Sequence, residues 1–314
     1  MNNKIYKNYN KNIVLFIDWG TTNFRAYKYD LSNNKVLAKI ENNKGILNIK
    51  KKSEFLHILK NTLIKLKLSK KQFILMAGMV GSKKGLYEVP YVKIPASLKY
   101  FSKKLKIKSI HGIDINIIPG LLFKKSNYYD VLRGEETLAI GAIKNLNIKK
   151  NYYLCCPGTH SKWIEIKNNI IYSFKTYMTG DLYSAIVSKT ILSQSLKRKT
   201  EKFSQAFFKK GLEFIIKNNS FSSIIFKIRT MDLFSQNKSF ERKSFLSGLI
   251  IGLEISEVTK KMKKSKSNVI LISSGPLTKL YEVSFKYCNI KYSLVNADEC
   301  FISGMRKIYD YVNR

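Results

Sequence analysis

The chain has 314 residues and carries 57 Lys and Arg against 21 Asp and Glu, which gives a formal net charge of +36 at pH 7. Hydrophobic residues make up 45% of the chain and aromatic residues 12%, so the chain can bury a sizeable core and is not a disordered basic tail. Length and composition together predict a folded protein of two domains.

The positive charge has two interpretations. Lys and Arg that neutralise phosphates would bind a nucleic acid in a salt-sensitive way. However, only seven of the 57 basic residues are Arg, the side chain that base-reading surfaces favour. The excess is Lys, and it accompanies many Asn, Ile, Tyr and Phe residues, whose codons are all rich in A and T. Because no nucleic-acid-binding motif accompanies the charge, we favour a biased coding composition over a nucleic-acid partner.

The cysteines and the apolar runs bear on the cellular compartment. The four cysteines, at positions 155, 156, 288 and 300, form no CxxC pair and no spacing typical of a zinc site or a disulfide framework. The longest apolar runs are far shorter than the roughly 20 residues that a membrane helix needs. The sequence therefore predicts a cytoplasmic protein with no membrane partner, and it leaves a monomer and a homodimer both open.

The elements of the first half follow a basic N-terminal tail, residues 1–12. An apolar run at 13–17 ends in a Gly-Thr turn, and alternating apolar residues resume at 24–31 and 36–40, which predicts three antiparallel strands. Helical spacing of apolar residues predicts a helix at 55–66. Strands are predicted next at 73–76 and 113–118.

The second half repeats that order of elements. A strand at 152–156 ends in a second Gly-Thr turn, and strands at 162–166 and 170–176 follow. The remaining predicted elements are helices at 182–192, 206–216 and 240–262, a strand at 269–273, a helix after Pro276, a strand near 290–295 and a helix from 297. This repeated order predicts a duplicated α/β fold with an interdomain cleft, its domains spanning residues 13–128 and 129–314.

The two Gly-Thr turns, at Gly20 and Gly158, are candidate phosphate sites. A turn that offers backbone N–H groups and Thr hydroxyls suits a phosphate. Either turn taken alone is more typical of an ordinary hairpin with a glycine. Because both turns end a buried strand at the same place in each half, the pair favours a polyphosphate ligand.

Several common motifs of nucleotide and catalytic sites are absent from the sequence. No two of the sixteen glycines stand two apart, which excludes the GxG loops of dinucleotide-binding proteins and protein kinases. There is no Gx4GK[ST] P-loop and no GxSxG elbow. The three histidines, at 57, 111 and 160, are too scattered for a transition-metal motif. Dehydrogenases, P-loop ATPases, serine hydrolases and zinc enzymes are therefore disfavoured.

Blocks of sequence spread over residues 13–305 resemble the 2-dehydro-3-deoxygalactonokinases. In the family's order they are Ile17-Asp18-Trp19-Gly20-Thr21-Thr22-Asn23-Phe24-Arg25-Ala26, Ala77-Gly78-Met79-Val80-Gly81-Ser82, Pro119-Gly120-Leu121, Arg133-Gly134-Glu135-Glu136-Thr137, Pro157-Gly158-Thr159-His160-Ser161-Lys162-Trp163, Met178-Thr179-Gly180 and Leu246-Ser247-Gly248-Leu249-Ile250-Ile251-Gly252. The resemblance implies a duplicated ribonuclease H-like α/β fold of the actin and hexokinase type. It also implies ATP-dependent phosphorylation of the 6-hydroxyl of 2-dehydro-3-deoxy-D-galactonate, a step in galactonate breakdown.

Two residues depart from the family's pattern. Asp181 stands where the family is expected to have Glu. Leu86 stands where the family often has Trp, in a segment expected to line the sugar-acid pocket. The alternatives are therefore a kinase of a related acid such as 2-dehydro-3-deoxygluconate, or a basic nucleic-acid-associated protein on a kinase fold.

The resemblance also implies roles for the residues of the turns. Asp18 would hold Mg2+ directly or through water, and Gly20, Thr21 and Thr22 would contact the transferring phosphate of ATP. The second turn, with Gly158, Thr159 and His160, would bind the β-phosphate. Gly275, between a strand and a helix, resembles an adenosine-binding turn, although a bare strand-to-helix turn needs no ligand.

A sugar kinase also needs a base, because the attacking hydroxyl must lose its proton as its oxygen bonds to phosphorus. In related sugar kinases a Gly-acid pair at a helix start supplies it, some twenty residues before the second phosphate turn. Gly134-Glu135 occupies that place, so Glu135 is the predicted base and Glu136 the reserve. Both acids are also typical of the first turn of any helix.

Four more residues are candidate substrate contacts. Arg133, beside the predicted base, would orient the substrate or a phosphate. Arg25 would pair with the substrate carboxylate or form a structural ion pair instead. Ser82 and Lys83 lie in a glycine-punctuated loop and are further candidates.

Overall fold

The computed structural model describes residues 10–96, 98–143, 151–197, 202–218, 220–262 and 268–313. Contacts divide the chain into two units: the first comprises residues 1–147, 167–174 and 297–314, and the second comprises residues 148–166 and 175–296. Most of the predicted basic tail, residues 1–9, lies outside the described residues.

The strands and helices up to residue 143 form most of the first unit. In chain order they are β1 (Ile13–Trp19), β2 (Phe24–Asp30), β3 (Lys35–Asn42), α1 (Lys52–Lys65), β4 (Phe73–Gly78), β5 (Val92–Lys93), α2 (Leu98–Ser102), β6 (Lys106–Ile110), β7 (Ile113–Ile117), β8 (Leu121–Lys125), β9 (Tyr128–Leu132) and α3 (Glu135–Ile143). Every strand and helix predicted in this half is confirmed.

The elements after residue 151 include the long helix that was predicted at 240–262. In chain order they are β10 (Tyr152–Cys156), β11 (Ser161–Lys167), β12 (Ile170–Tyr177), α4 (Thr179–Lys189), α5 (Gln205–Asn218), α6 (Phe221–Ile224), α7 (Lys227–Phe234), α8 (Ser239–Met262), β13 (Asn268–Ile272), α9 (Pro276–Tyr287), β14 (Tyr292–Val295) and α10 (Ala297–Val312). The predicted strands and helices of this half are confirmed as well.

The main sheets have the same strand order. The first runs β3-β2-β1-β4-β7-β6 and the second runs β12-β11-β10-β13-β14, so β6 is an added edge strand. In the first sheet β1 pairs antiparallel with β2, and β1, β4 and β7 are parallel. In the second sheet β10 pairs antiparallel with β11, and β10, β13 and β14 are parallel. This repeat confirms the predicted duplicated α/β fold.

The central strand β1 shows why the sequence specifies this arrangement. Its residues 13–17 are all apolar and buried, as expected of a strand covered on both faces. The core of the first unit packs α1 and the strands β1, β4 and β7 around the buried Trp19, whose ring lies against Phe24 and Phe55. The buried end of β1 therefore fixes the residues that follow it, beginning with Gly20.

The second unit has its core around α5 and α8. A side chain added at Gly248 would lie 2.1 Å from the carbonyl oxygen of Phe208, and one added at Gly211 would lie 2.2 Å from that of Phe245. Backbone therefore contacts backbone between these two helices, which only glycine permits. The apolar face of α8 also carries Ile251, which packs in the same core.

The contacts divide the chain differently from the boundary predicted after residue 128. Helix α3 and the C-terminal helix α10 both belong to the first unit. They pack backbone to backbone, since a side chain at Gly141 would lie 1.9 Å from the carbonyl oxygen of Cys300, and one at Gly304 would lie 2.0 Å from that of Thr137. Arg306 of α10 also donates to the carbonyl oxygen of Leu31 at 2.7 Å. Helix α3, which carries the predicted base, is thereby fixed to the first sheet.

Two predictions concern the whole chain. None of the helices among the described residues is long and apolar enough to cross a membrane. All four cysteines are free thiols, three of them buried, so they form no disulfide.

Candidate active site

The first Gly-Thr turn joins β1 to β2 and is held from behind by backbone hydrogen bonds. The carbonyl oxygens of Gly20, Thr21 and Thr22 accept from the N–H groups of residues 46, 47 and 45, at 2.9–3.0 Å. A side chain at Gly45 would lie 2.3 Å from the backbone of Thr22, so only glycine allows this approach. Within the described part of the chain, the N–H groups of Thr21 and Thr22 donate to no backbone carbonyl. They remain available to an anion.

Asp18 lies at the end of β1, immediately before this turn. Its Oδ2 accepts from Arg25 Nη1 at 3.3 Å, and burial outweighs this cation, so that the pKa of Asp18 rises to about 6. The negative charges of Glu135 and Asp298 raise it further. An acidic group that is costly to ionise beside other acids favours a bound cation.

Two glycines bring Glu135 close to Asp18. A side chain at Gly78, whose φ is +91°, would lie 2.7 Å from the carbonyl oxygen of Trp19 and 3.3 Å from Asp18 Oδ1. Gly134, with φ +110°, lies against the Cα atom of Gly78. Both need the left-handed backbone that glycine adopts readily, and together they set the start of α3 beside the end of β1.

The two adjacent acids of α3 have different environments. Glu136 is fully buried, and its Oε2 accepts from the backbone N–H of Gly134 at 2.6 Å. Burial, then the charge of Glu135, raises the pKa of Glu136 to about 8. Glu135 is only half-buried and lies near enough to Asp18 to influence its ionisation. The structure thus favours a structural role for Glu136 and leaves Glu135 as the candidate base.

Arg133 is buried directly before these acids. Its Nη2 donates to the carbonyl oxygen of Val89 at 2.7 Å, and its guanidinium lies 4.4 Å from the centre of the Tyr91 ring. Among the described residues its Nε and Nη1 atoms have no hydrogen-bond partner, although both are buried. A side chain at Gly81 would lie 2.7 Å from Nη1, so the guanidinium supports the loop that follows β4.

The other predicted substrate contacts lie around that loop or at the first turn. Arg25 donates to Glu41 at 2.7 Å as well as to Asp18, which favours the ion-pair interpretation of this residue. The Ser82 hydroxyl donates to the carbonyl oxygen of Met79 at 2.7 Å, whereas Lys83 is exposed. Leu86, in the segment expected to line the sugar-acid pocket, is buried and packs in the core of the first unit.

The second Gly-Thr turn, between β10 and β11, has the same design. The carbonyl oxygen of Thr159 accepts from the N–H of Asp181 at 2.9 Å, and that of His160 accepts from Lys162 Nζ at 2.8 Å. In the residues that the structure describes, the N–H groups of Gly158, Thr159 and His160 donate to no backbone carbonyl. This turn, too, presents unbonded N–H groups.

The turn rests on the start of α4. A side chain at Gly180 would lie 2.7 Å from the carbonyl oxygen of Gly158 and 2.8 Å from the Cα atom of Thr159, which requires glycine there. His160 Nε2 lies 3.6 Å from Asp181 Oδ2, and both side chains are exposed. Asp181, which stands where the family is expected to have Glu, therefore lies beside the turn.

Gly275 follows β13 and precedes α9. Its φ of +85° needs glycine, and a side chain added there would meet no atom within 4 Å. The backbone of this turn is therefore open to a ligand, which is compatible with the predicted adenosine contact.

Several residues around the two turns belong to no recognisable sequence motif. Glu41, Gly45 and Asp298 are brought to the first turn only by folding. Glu254, in the middle of α8, accepts hydrogen bonds from four side chains around the second turn. Its signal in the sequence is a lone acid within an otherwise apolar stretch of helix.

A duplicated α/β fold that ends the same strand of each sheet in a glycine turn is the fold of the sugar-kinase and actin type. A family model described as 2-keto-3-deoxy-galactonokinase matches residues 18–308. The chain belongs to the 2-keto-3-deoxy-galactonokinase family.

Individual relatives agree with this family. The chain is 30% identical over 291 residues to a protein of Rhizobium meliloti strain 1021 that is classed as a 2-dehydro-3-deoxygalactonokinase, covering 92% of this chain and 94% of that one. It is also 30% identical over 292 residues to the 2-dehydro-3-deoxygalactonokinase of Escherichia coli K12, covering 93% and 96%. A crystal structure from Sinorhizobium meliloti with the same classification superposes with a TM-score of 0.88 at 29% identity, covering 94% and 95%.

Proposed function

We propose that this protein transfers the γ-phosphoryl group of ATP to the 6-hydroxyl of 2-dehydro-3-deoxy-D-galactonate. Membership of the family supports the reaction, and the juxtaposition of Asp18, the first turn and Glu135 supports its location. Phosphoryl transfer depends mainly on positioning and on stabilising charge, which these groups can supply. The nucleic-acid alternative is not favoured.

The first turn would bind the transferring phosphate. Among the described residues the N–H groups of Thr21 and Thr22 donate to no backbone carbonyl, whereas the carbonyl oxygens of the turn accept from residues 45–47. Unbonded N–H groups on a rigid turn are suited to phosphate oxygens. The second turn would bind the β-phosphate in the same way, and Gly275 would contact the adenosine.

The residues around Asp18 fit a magnesium ion that enters with the nucleotide. Mg2+ is typically held by one or two carboxylates, by substrate phosphates and by water. Asp18 supplies such a carboxylate, and no group of three or more potential ligands occurs among the described residues. Bound Mg2+ would neutralise the phosphate oxygens, and Asp18 would hold it directly or through water.

Glu135 would accept the proton of the attacking hydroxyl. It stands at the start of α3, close to Asp18, and is less buried than Glu136. Glu136 is unsuited to this role because its carboxyl is buried, with a pKa of about 8, and bonds the backbone of Gly134. Ser82 and Lys83, in the loop between β4 and β5, and Arg133, between β9 and α3, would position the sugar acid.

The test is a coupled ADP-release assay over a panel of 2-keto-3-deoxy acids and aldonic acids. We expect turnover with 2-dehydro-3-deoxygalactonate well above that with 2-dehydro-3-deoxygluconate. The Glu135→Gln variant should lose about 10²–10⁴-fold in kcat, as expected for removal of a general base. The matched control is Glu136→Gln, which replaces a mostly protonated carboxyl and should turn over at a rate near wild type. Full activity of Glu135→Gln would refute the base, and preference for another acid would refute the substrate.

A further inference from the structure

Glu254 is a buried acid that the proposed mechanism does not use. It lies in the middle of α8 with 2% of its surface exposed. Oε1 accepts from the Ser161 hydroxyl at 2.8 Å and from Trp163 Nε1 at 2.6 Å. Oε2 accepts from the Tyr281 hydroxyl at 2.9 Å and also from the Thr179 hydroxyl. Four donors on three other elements thus converge on one carboxylate.

Two of these donors flank the second phosphate turn. Ser161 is the first residue of β11, directly after His160. Thr179 is the first residue of α4 and directly precedes Gly180, on which Gly158 and Thr159 rest. Glu254 therefore bonds both the end of the turn and the start of the helix that supports it.

The network leaves the turn little freedom to move. The N–H of Asp181 donates to the carbonyl oxygen of Thr159 at 2.9 Å, so a displacement of α4 would move the turn with it. The Tyr281 hydroxyl oxygen also lies 3.2 Å from Ser161 Oγ, so α9 contacts the same group of side chains. A buried, fully bonded polar network fixes the groups that it joins in one arrangement.

We infer that Glu254 is a positioning residue for nucleotide binding, which acts by holding Ser161 and Thr179 so that the N–H groups of the second turn stay aimed at the β-phosphate. This inference rests on the proposed role of that turn. It requires no contact between Glu254 and the nucleotide. A displacement of a binding group by about 1 Å costs on the order of 10²-fold in well-organised sites, so loss of this support should be measurable.

The decisive variants are Glu254→Gln and Thr179→Val. Glutamine keeps the shape but offers one acceptor oxygen instead of two, and valine removes one of the two bonds that flank the turn. The matched control is Glu257→Gln, the same change three residues along α8, where an exposed carboxylate pairs with Lys175. Thr179→Ser restores the hydroxyl and should restore the wild-type values.

Steady-state rates with ATP and with the sugar acid as the varied substrate separate positioning from a general loss of folded enzyme. We expect Glu254→Gln and Thr179→Val to raise KM for ATP about tenfold or more, with little change in KM for the sugar acid. A purely structural role would lower kcat and leave both KM values unchanged, and that result would overturn the inference. If Glu254→Gln fails to fold, Thr179→Val and Thr179→Ser decide the question alone.

Direct binding distinguishes this inference from the proposed function. Calorimetry with ADP needs no sugar acid, so it reports on the turn even if wild type phosphorylates none of the tested acids. Weaker ADP binding by Glu254→Gln than by Glu257→Gln would support the inference in that case. Equal ADP affinities of wild type and both variants would overturn it, whatever the assay of phosphoryl transfer shows.

Discussion

Asp18→Asn should stabilise the protein while abolishing its activity. The pKa of Asp18 rises from an ordinary value of 3.8 to about 6 because partial burial disfavours its charged form, and the bond from Arg25 only partly offsets this. The rise corresponds to about 3 kcal/mol of stability that is lost when Asp18 ionises in the folded state. Asparagine has no charge to bury, and Arg25 keeps its bond to Glu41. If Asp18 binds the proposed magnesium ion, its charge is an example of a stability cost at a functional site.

The sign of the effect makes it testable by pH. Between pH 3.8 and about 6 the folded protein holds a proton on Asp18 that the unfolded chain has lost, so wild-type stability falls as the pH rises through this window. Asp18→Asn has no such group. Its advantage should therefore be about 1 kcal/mol at pH 4.5 and up to about 3 kcal/mol at pH 7.5.

Urea denaturation followed by Trp fluorescence measures this difference. The chain has two Trp residues, Trp19 in the first unit and Trp163 in the second, so a Trp163→Phe background leaves Trp19 to report the unit that contains Asp18. Glu41→Gln is the matched control, because Glu41 also pairs with Arg25 but its pKa is lowered by Lys39 and Arg25. That variant should lose stability at pH 7.5. The reasoning would be refuted if Asp18→Asn were less stable than wild type. It would also be refuted if the difference in the free energy of unfolding between the two proteins were the same at pH 4.5 and pH 7.5.

Two further predictions concern residues on either side of the site. Because burial raises the pKa of Glu136 from 4.5 to about 8, wild type should lose stability as the pH rises from 4.5 to about 8, and Glu136→Gln should remove that part of the loss in a denaturation series. Parallel curves for the two proteins would contradict the assignment. Gly180→Ala should raise KM for ATP, because the new methyl group would lie 2.7 Å from the carbonyl oxygen of Gly158. Initial rates over an ATP titration test this, and an unchanged KM would show that the turn does not bind the nucleotide.

The main sheets could be predicted from the sequence because their central strands are buried on both faces. Continuous apolar runs such as residues 13–17 and 152–156 end at the glycine turns, and this contrast is visible without a structure. The three-stranded sheet β5-β8-β9 was not predicted. Strand β5 has only two residues, and β9 is mostly exposed, so neither has an apolar period that identifies it.

The candidate site was predicted in part, and the remainder depends on long-range packing. Motifs placed Asp18, the two turns and Glu135, since these residues follow strands or begin a helix. The ion pair of Arg25 with Glu41 depends on the pairing of β2 with β3, which brings the two residues into register. Likewise, the argument against Glu136 as the base depends on its burial, and no local pattern separates two adjacent acids at a helix start.

The two Gly-Thr turns present similar backbone groups but are held in place by different contacts. In each turn the Thr carbonyls accept backbone hydrogen bonds, whereas among the described residues the Thr N–H groups donate to no backbone carbonyl. The first turn is held by the backbone of residues 45–47. The second is held by the start of α4, whose position depends on side chains that meet at Glu254. Backbone support is insensitive to most substitutions, whereas side-chain support is lost with a single one. The two halves thus share the exposed N–H groups of the turn and differ in the contacts that hold it in place.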